Sequence, residues 1–448
     1  MIVCYSLSPT KYRLIYFTYI YTLSGVSMEI SEKILNRISA TVDGYRDEMV
    51  RTLMELISIP AISPDYGYEG EYDKAERLVD VVRDWGFDRI DIYNASDSRA
   101  KNGVRPNIVA YYYGENRDAP KIWILSHLDV VPPGDLSQWT VTKPFDPVFR
   151  DGKIFGRGAE DNGQAIVSSI YAVRTLINLG IRSRRTVVLA FVSDEETGSR
   201  YGIRWLMEKH PQLFKSGDQA LVPDYGVSDG SCIEVAEKSI LWFRARVRGR
   251  QTHGSTPHKG LNAHRVAVDL IQRLDRVLHE RYSARDELFD PPESTFEPTI
   301  SMNSTRAPNI IPGDHEFTFD CRILPIYRVD DVLSDIYRIA GDVREAYRRN
   351  GYPEIEIEIM QREDAPKPTD PNSEIVQLLK KAIKILRGID AKTIGIGGGT
   401  VAAAFRAIGM PAAVWSTIDD TAHEPNEYAK LDNIVADAKV IATLLSML

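Results

Sequence analysis

The feature that most limits the fold is a series of apolar, strand-like runs separated by helix-like segments, beginning near residue 121. "KIWILS" precedes a segment whose apolar residues Val167, Ile170, Val173 and Ile177 share one helical stripe. "TVVLAFVSDEE" and a second helix-like segment from about Tyr201 follow. Continuous apolar strands that alternate with helices are typical of a parallel sheet covered on both faces. The sequence therefore predicts an α/β fold.

The middle of the chain has a different pattern. Residues 239–362 predict strand, helix, strand, strand, helix and strand, which is the order of a ferredoxin-like unit. Alternation of Phe317, Phe319 and Cys321 with polar residues indicates a sheet with one buried face. The proline-rich "EDAPKPTDP" then leads back to the first pattern. We predict a catalytic domain in two parts, residues 28–238 and 363–448, with residues 239–362 inserted between them.

The first 27 residues are treated separately. "KYRLIYFTYIYTLSGVS" has the outline of a signal peptide but is too short to span a bilayer. The run is rich in tyrosine and lacks an A-x-A-like cleavage site, which favours a translation start at Met28. Residues 1–27 are expected to be a dispensable leader or a mis-assigned start, and the protein to be cytoplasmic.

Charge and cysteine usage exclude several classes of function. The formal net charge is -8 without any lysine- and arginine-rich run, which argues against a nucleic-acid partner. Cys4, Cys232 and Cys321 are too far apart for a thiolate zinc site or a disulfide framework. A small molecule or short peptide is the expected partner, and no membrane is expected to be involved.

Several loops that follow apolar strands carry side chains suited to chemistry. The carboxyl ends of parallel strands share one edge of a sheet, so "SHLD", "SDEETG" and "LVPDYG" are expected to converge. Each residue alone has an ordinary alternative: a structural histidine, a helix N-cap, a solvated acidic helix start, a turn aspartate or a surface histidine. The candidates are His127 with Asp129, Asp161, Glu195 with Glu196, Asp224 and His423.

Together these residues suit a hydrolytic site with two divalent metal ions, a bridging carboxylate and a free glutamate as base. "GIGGGT" lacks both the Lys-Ser/Thr of a P-loop and the spacing of a dinucleotide-binding motif. A nucleotide cofactor is therefore not expected.

The motifs "SHLDVVPPG", "GRGAEDNGQ", "SDEETG", "THGSTPHKGLNA" and "AHEPNEY" occur in the order found in a known family. The chain resembles the co-catalytic zinc amidohydrolases and exopeptidases, which include succinyl-diaminopimelate desuccinylase, acetylornithine deacetylase, aminoacylase and carnosine dipeptidase. The similarity covers nearly all of residues 28–448. It implies a mixed, mainly parallel sheet flanked by helices, as in zinc aminopeptidases, with an inserted ferredoxin-like dimerisation or lid domain.

The resemblance also implies a ligand set and a cofactor. His127, Asp161 and Asp224 would hold one zinc ion, and Asp161 would bridge to a second held by Glu196 and His423. Two Zn²⁺ per subunit are expected, with Co²⁺ or Mn²⁺ as substitutes.

Other residues receive roles from the same resemblance. Glu195 would be the general base, and Asp129 would orient His127. His253 matches the histidine that reaches a partner subunit's site in a homodimer built through the inserted domain. The residues that match substrate-binding positions are Asn309 and Arg322 for the substrate carboxylate, and Gly398, Gly399 and Thr400 in the glycine-rich loop.

The expected reaction is hydrolysis of the amide bond of an N-acyl amino acid, with desuccinylase-like members the nearest. The alternatives are a metallo-carboxypeptidase or dipeptidase and, in another class, an inactive ligand-binding relative. Two departures could reshape the pocket: glycine at position 163, where the family usually has lysine, and the long loop "RYSARDELFDPPESTFE".

Overall fold

The computed structural model describes residues 30–348 and 351–448, and the predicted leader, residues 1–27, lies outside them. In chain order the helices are α1 (Glu32–Asp43), α2 (Arg46–Ile57), α3 (Tyr72–Val82), α4 (Ala165–Leu179), α5 (Ile203–Lys209), α6 (Ala263–Arg281), α7 (Val329–Ala346), α8 (Glu374–Arg387), α9 (Ala402–Ala407) and α10 (Leu431–Ser446). The strands are β1 (Arg89–Ser96), β2 (Val104–Tyr112), β3 (Ile122–His127), β4 (Val148–Arg150), β5 (Lys153–Phe155), β6 (Val187–Val192), β7 (Gln219–Gly226), β8 (Cys232–Glu237), β9 (Ser239–Arg248), β10 (Thr252–His253), β11 (Thr295–Asn303), β12 (Ile310–Ile311), β13 (Asp314–Ile323), β14 (Glu354–Glu363), β15 (Lys392–Ile396), β16 (Ala412–Ser416) and β17 (Tyr428–Lys430).

The large sheet has the strand order β1-β2-β6-β3-β7-β16-β8-β15. The four central strands, β6, β3, β7 and β16, run parallel to one another. β2 is antiparallel to both β1 and β6, and β8 is antiparallel to β16 while β15 is parallel to β8. The expectation of a mixed, mainly parallel sheet is confirmed.

Helices cover both faces of this sheet because its central strands are apolar on both sides. In β3, Ile124 belongs to the hydrophobic cluster that includes residues of α1, α2, α4, α8 and α10, whereas Trp123 and Leu125 belong to the cluster that includes residues of α5 and α9. Each of these three side chains is at most 1% exposed. Their burial on opposite faces follows from the alternation of side chains along a strand.

A second sheet lies between β8 and β15 in the sequence and has the order β11-β13-β9-β14, with every neighbouring pair antiparallel. This is the predicted ferredoxin-like arrangement. Phe317, Phe319 and Cys321 of β13 are buried against apolar residues of α6 and α7, as their alternation predicts. The second sheet therefore has a hydrophobic core of its own.

Among the described residues, the structure contains no helix that combines the length and apolar character needed to cross a bilayer.

Candidate metal centre

The register of three parallel strands brings β3, β6 and β7 to one edge of the large sheet. His127 lies opposite the last residue of β6, and Ile124 lies opposite Leu221 of β7. His127 lies three residues after Ile124, and Asp224 lies three residues after Leu221, so both reach the same edge. The acidic loop 193–196 continues from β6 at this edge. The sheet therefore assembles the predicted residues from distant parts of the sequence.

The first cluster consists of His127, Asp161 and Asp224. His127 Nε2 is 2.8 Å from Asp161 Oδ1 and 3.4 Å from Asp224 Oδ1. Asn162 joins the same residues, since its amide oxygen accepts a hydrogen bond from the His127 backbone N–H at 3.2 Å and its amide nitrogen donates to Asp224. The three candidate ligand atoms lie within 4.8 Å of one another.

The second cluster consists of Asp161, Glu196 and His423. His423 Nε2 is 3.0 Å from Asp161 Oδ2 and 3.2 Å from Glu196 Oε2. The two oxygens of Asp161 thus point at different clusters, Oδ1 toward His127 and Oδ2 toward His423. A carboxylate placed in this way can bridge two ions.

The donor set of the two clusters fits divalent zinc. Zinc accepts imidazole nitrogen and carboxylate oxygen as ligands, and a site with three protein ligands can keep a position for water or substrate. Each cluster supplies one imidazole and two carboxylates, with Asp161 shared. Among the described residues, neither of these clusters includes a cysteine.

The titratable groups of the second cluster shift one another's pKa values. Hydrogen bonds to Asp161 and Glu196 raise the pKa of His423 to about 10. Burial, with the negative charge of Asp161, raises the pKa of Glu196 to about 7. Metal ligation requires a neutral imidazole and an ionised carboxylate, so the binding of a cation and the release of protons are coupled here.

Asp129 holds the acidic loop in place. Its two carboxylate oxygens accept the backbone N–H groups of Glu195 and Glu196, both at 3.0 Å. The nearest contact of His127 Nδ1 is the backbone carbonyl of Asp129 at 3.1 Å, whereas the carboxylate is 3.6 Å away. Asp129 therefore contacts His127 through its backbone and positions the two glutamates through its side chain.

Glu195 lies beside the clusters without belonging to either of them. Within the described part of the chain, its carboxyl group has no hydrogen-bond partner. Burial, together with the negative charges of Asp224 and Glu196, raises its pKa well above the ordinary value. A carboxyl group that prefers to carry a proton beside a metal centre suits proton transfer.

Glu427 fixes the loop that carries Asp161. Strand β5 pairs with β17, so the segment after β5 runs beside the segment before β17. Fully buried Glu427 accepts hydrogen bonds from the backbone N–H groups of Gly158 (3.0 Å), Glu160 (2.9 Å) and Asp161 (3.1 Å), and it pairs with Arg157 at 2.7 Å.

Glu160 makes the reciprocal set of contacts. It is 5% exposed and accepts the backbone N–H groups of Asp419 at 2.6 Å, of Thr421, and of Ala422 at 3.0 Å. These residues immediately precede His423. Each loop thus supplies a buried carboxylate that holds the other loop, and we call Glu160 and Glu427 the carboxylate clasp. Sequence reasoning missed both residues; their positions, one before Asp161 and four after His423, were the available signal.

The clusters open into a cavity of 760 Å³. Gly398, Gly399 and Thr400 line it together with Glu195 and four of the five ligand candidates, Asp161, Glu196, Asp224 and His423. Thr400 is fixed because its N–H and hydroxyl both donate to Glu237 Oε1, at 2.9 and 2.6 Å. The glycine-rich loop therefore forms part of the cavity wall.

His253 and Asn309 lie together, but neither lines this cavity. His253 is exposed on β10 opposite Ile310 of β12, and the carbonyl of Asn309 accepts the Gly254 N–H at 2.7 Å. The Ser255 N–H donates to His253 Nδ1 at 3.1 Å, which leaves Nε2 free to carry the proton. Within a single chain, the structure does not bring these two residues to the metal ligands.

Arg322 lies between the second sheet and the glycine-rich loop. Its guanidinium donates to both carboxylate oxygens of Asp320, at 2.7 and 3.0 Å, and to the carbonyl of Gly397 at 2.9 Å. Arg322 therefore contacts the loop through the protein's own groups and does not line the cavity.

Neither departure from the family pattern reaches the cavity wall. Gly163 is buried, and a Cβ there would lie 2.4 Å from the carbonyl oxygen of Gly158, so no lysine fits. The long loop packs on the edge of the large sheet, where Leu288 accepts the Gly395 N–H at 2.6 Å and Phe289 is buried. The expected reshaping of the pocket by these two features is not seen in its lining.

Comparison with known proteins places this centre in a family. Over 412 residues the chain is 41% identical to an uncharacterized metallohydrolase of Methanocaldococcus jannaschii, covering 89% of this chain and 99% of the relative. It is 26% identical over 390 residues to succinyl-diaminopimelate desuccinylase of Nitratiruptor sp., covering 86% and 96%. The di-peptidase Dug1p of Saccharomyces cerevisiae has a similar structure, with a TM-score of 0.69, 17% identity and coverage of 92% and 98%. Residues 123–447 match the family description, and the chain belongs to Peptidase family M20/M25/M40.

Proposed function

We propose that this metal-dependent amide or peptide hydrolase removes the acyl group from N-acyl amino acids, using two zinc ions per subunit. The observation that carries the proposal is the arrangement around Asp161, whose two oxygens point at separate clusters. Beside them lies Glu195, whose carboxyl group has no hydrogen-bond partner among the described residues. This arrangement provides two ion positions and one free acid-base group.

The chain's own groups divide the chemistry. When bound, the ions would polarise the amide carbonyl and lower the pKa of water. Glu195 would take a proton from the attacking water and deliver it to the nitrogen of the leaving amine. Asp129 keeps Glu195 in place through the backbone N–H at 3.0 Å.

A dipeptidase or carboxypeptidase reaction is the second candidate, because it breaks the same type of bond with the same groups. The structural likeness to a di-peptidase extends over 92% of this chain and supports keeping this candidate in the same assay. The cavity of 760 Å³ has room for either substrate class.

The test is an assay of zinc-loaded protein against N-succinyl, N-acetyl and longer N-acyl amino acids, beside dipeptides with free termini. We expect release of free amino acid from the acylated series, at a kcat/KM at least about 10-fold above that for dipeptides. Faster hydrolysis of dipeptides would favour the second candidate. Hydrolysis of neither series by protein that binds two zinc ions would contradict the proposal.

A further inference from the structure

A second cavity of 410 Å³ adjoins the cavity of the metal centre. Both cavities are lined by Arg204, Glu363, Gly399, Thr400 and Ala404, so the two cavities are direct neighbours. A substrate whose amide lies at the clusters would reach the second cavity by passing these shared residues.

The second cavity is largely apolar, and its other charged groups are already engaged. Its apolar lining consists of Met207, Ala365, Pro366, Ala403, Ala404, Ala407 and Ile408. Lys238 donates to the carbonyls of Pro291 and Glu293, and Arg362 pairs with Asp330 and Asp364. The carboxylate of Glu237 accepts a hydrogen bond from Thr400, and that of Glu363 accepts one from Gln361.

Arg204 differs from these groups. Among the described residues, its guanidinium has no hydrogen bond, ion pair or ring contact, although it lines both cavities. Arginine stays protonated and presents a planar fork of donors that matches a carboxylate. Arg322, which the resemblance assigns to a carboxylate, already donates to Asp320 and Gly397. Among the described residues that line both cavities, Arg204 is therefore the only arginine, and its exposed guanidinium keeps its donors free.

We propose that Arg204 binds a carboxylate of the substrate beyond the scissile amide, and that the second cavity holds the aliphatic part attached to it. The proposal rests on the proposed function and narrows its substrate class to N-acyl amino acids with an additional carboxylate. That carboxylate belongs either to a dicarboxylic acyl group or to an acidic amino-acid side chain.

Two pairs of substrates distinguish these sources. N-succinyl-L-alanine and N-succinamoyl-L-alanine differ only in the acyl carboxylate, and N-acetyl-L-glutamate and N-acetyl-L-glutamine differ only in the side-chain carboxylate. We expect the wild type to favour the acid in one pair by about 10-fold or more in kcat/KM, mainly through KM. Arg204→Gln should abolish this preference, and Arg204→Lys should keep part of it.

Arg200→Gln is the matched control, because Arg200 lies in the same segment but pairs with Asp65. It should keep the wild-type preference. An equal kcat/KM for acid and amide in both pairs, or an unchanged preference in Arg204→Gln, would overturn the proposal.

Binding separates this proposal from the proposed function. Calorimetric titration of zinc-loaded protein carrying Glu195→Gln with the four compounds should show the same preference, and Arg204→Gln should remove it. If the wild type cleaves none of them while binding still depends on Arg204, the proposed function fails and the Arg204 site stands. If binding does not distinguish acid from amide, the Arg204 site fails.

Discussion

At the scale of single residues, Glu195 and Glu196 are adjacent in the sequence but have different surroundings. Glu196 contacts His423 at 3.2 Å, whereas Glu195 has no such contact among the described residues. Glu195→Gln should lower kcat by at least ~100-fold and leave two zinc ions bound, because only proton transfer is lost. Glu196→Gln should lower the zinc content. Steady-state kinetics and metal analysis measure both effects, and the reverse result would exchange the two roles.

Asp437 gives a prediction on stability that does not involve the metal centre. It is fully buried on α10 and accepts hydrogen bonds from Ser416 Oγ and the Thr417 N–H, at 2.9 and 2.8 Å. Burial raises its pKa to about 6, from an ordinary value of 3.8. The carboxyl group of Asp437 thus binds its proton more tightly in the folded state than in the unfolded chain. The protonated group therefore contributes fully to the free energy of unfolding below about pH 4. This contribution falls as the pH rises to about 6, and the free energy is constant in this respect above that.

Asp437→Asn should remove this dependence. Relative to the wild type, its free energy of unfolding should improve by up to about 3 kcal/mol between pH 4 and pH 7. Urea unfolding at several pH values measures this change, since other titrating groups are common to both proteins. Asp432→Asn on the exposed side of the same helix is the control. A difference from the wild type that stays constant with pH would contradict the prediction.

At the scale of elements, the carboxylate clasp joins the loop before α4 to the loop before β17. Glu160→Gln would place amide hydrogens against the N–H of Asp419 or against the N–H groups of Thr421 and Ala422, so the His423 loop should lose part of what fixes its position. We expect about 10- to 100-fold weaker zinc binding at the cluster that contains His423. Chelator competition measures this affinity. Glu424→Gln, on the same loop and exposed, is the control, and equal affinities in both variants would contradict the prediction.

The carboxylate clasp also shows which contacts could not be predicted from the sequence. The alternation along β13 and the helical stripe of α4 depend on near neighbours, so the pattern alone predicted their buried faces. The metal-ligand candidates were recognisable because they combine unusual residue types with strand ends. Glu160 and Glu427 instead accept backbone N–H groups more than 250 residues away, and a backbone donor leaves no trace in the sequence. The hydrogen bond from Arg322 to the backbone carbonyl of Gly397 could not be predicted from the sequence for the same reason.

At the scale of the whole molecule, we propose that exposed His253 acts in the site of a partner subunit within a homodimer. The outer edge of β11 has no neighbouring strand within the described residues, and Ile300 and Met302 on it are 49% and 56% exposed. A two-fold dimer through the second sheet would bury this edge and carry His253 to the partner's cavity. There its N–H would stabilise the charge that develops on the amide oxygen.

Mixing two inactive proteins tests this arrangement. His253→Ala and Glu195→Ala subunits should regain activity when mixed, because one site of each mixed dimer has both residues. Up to about half of the dimers in an equimolar mixture are mixed, so we expect activity near a quarter of the wild type. His258→Ala, exposed in the same segment, should stay active. No recovery after proven subunit exchange would mean that His253 acts within its own chain or only in folding.

The position of β16 in the large sheet has a consequence for how the protein is made. β16 lies between β7 and β8, yet it begins about 190 residues after β7 ends. At about 5–20 residues per second, ribosomes need roughly 10–40 s to synthesise that stretch. During this time one edge of β7 remains unpaired. An unpaired strand edge can form hydrogen bonds with another newly synthesised chain and so promote aggregation. β16 is the last strand of the large sheet to be synthesised and closes a gap in its middle, so the risk of misassembly lasts until residues 412–416 are made.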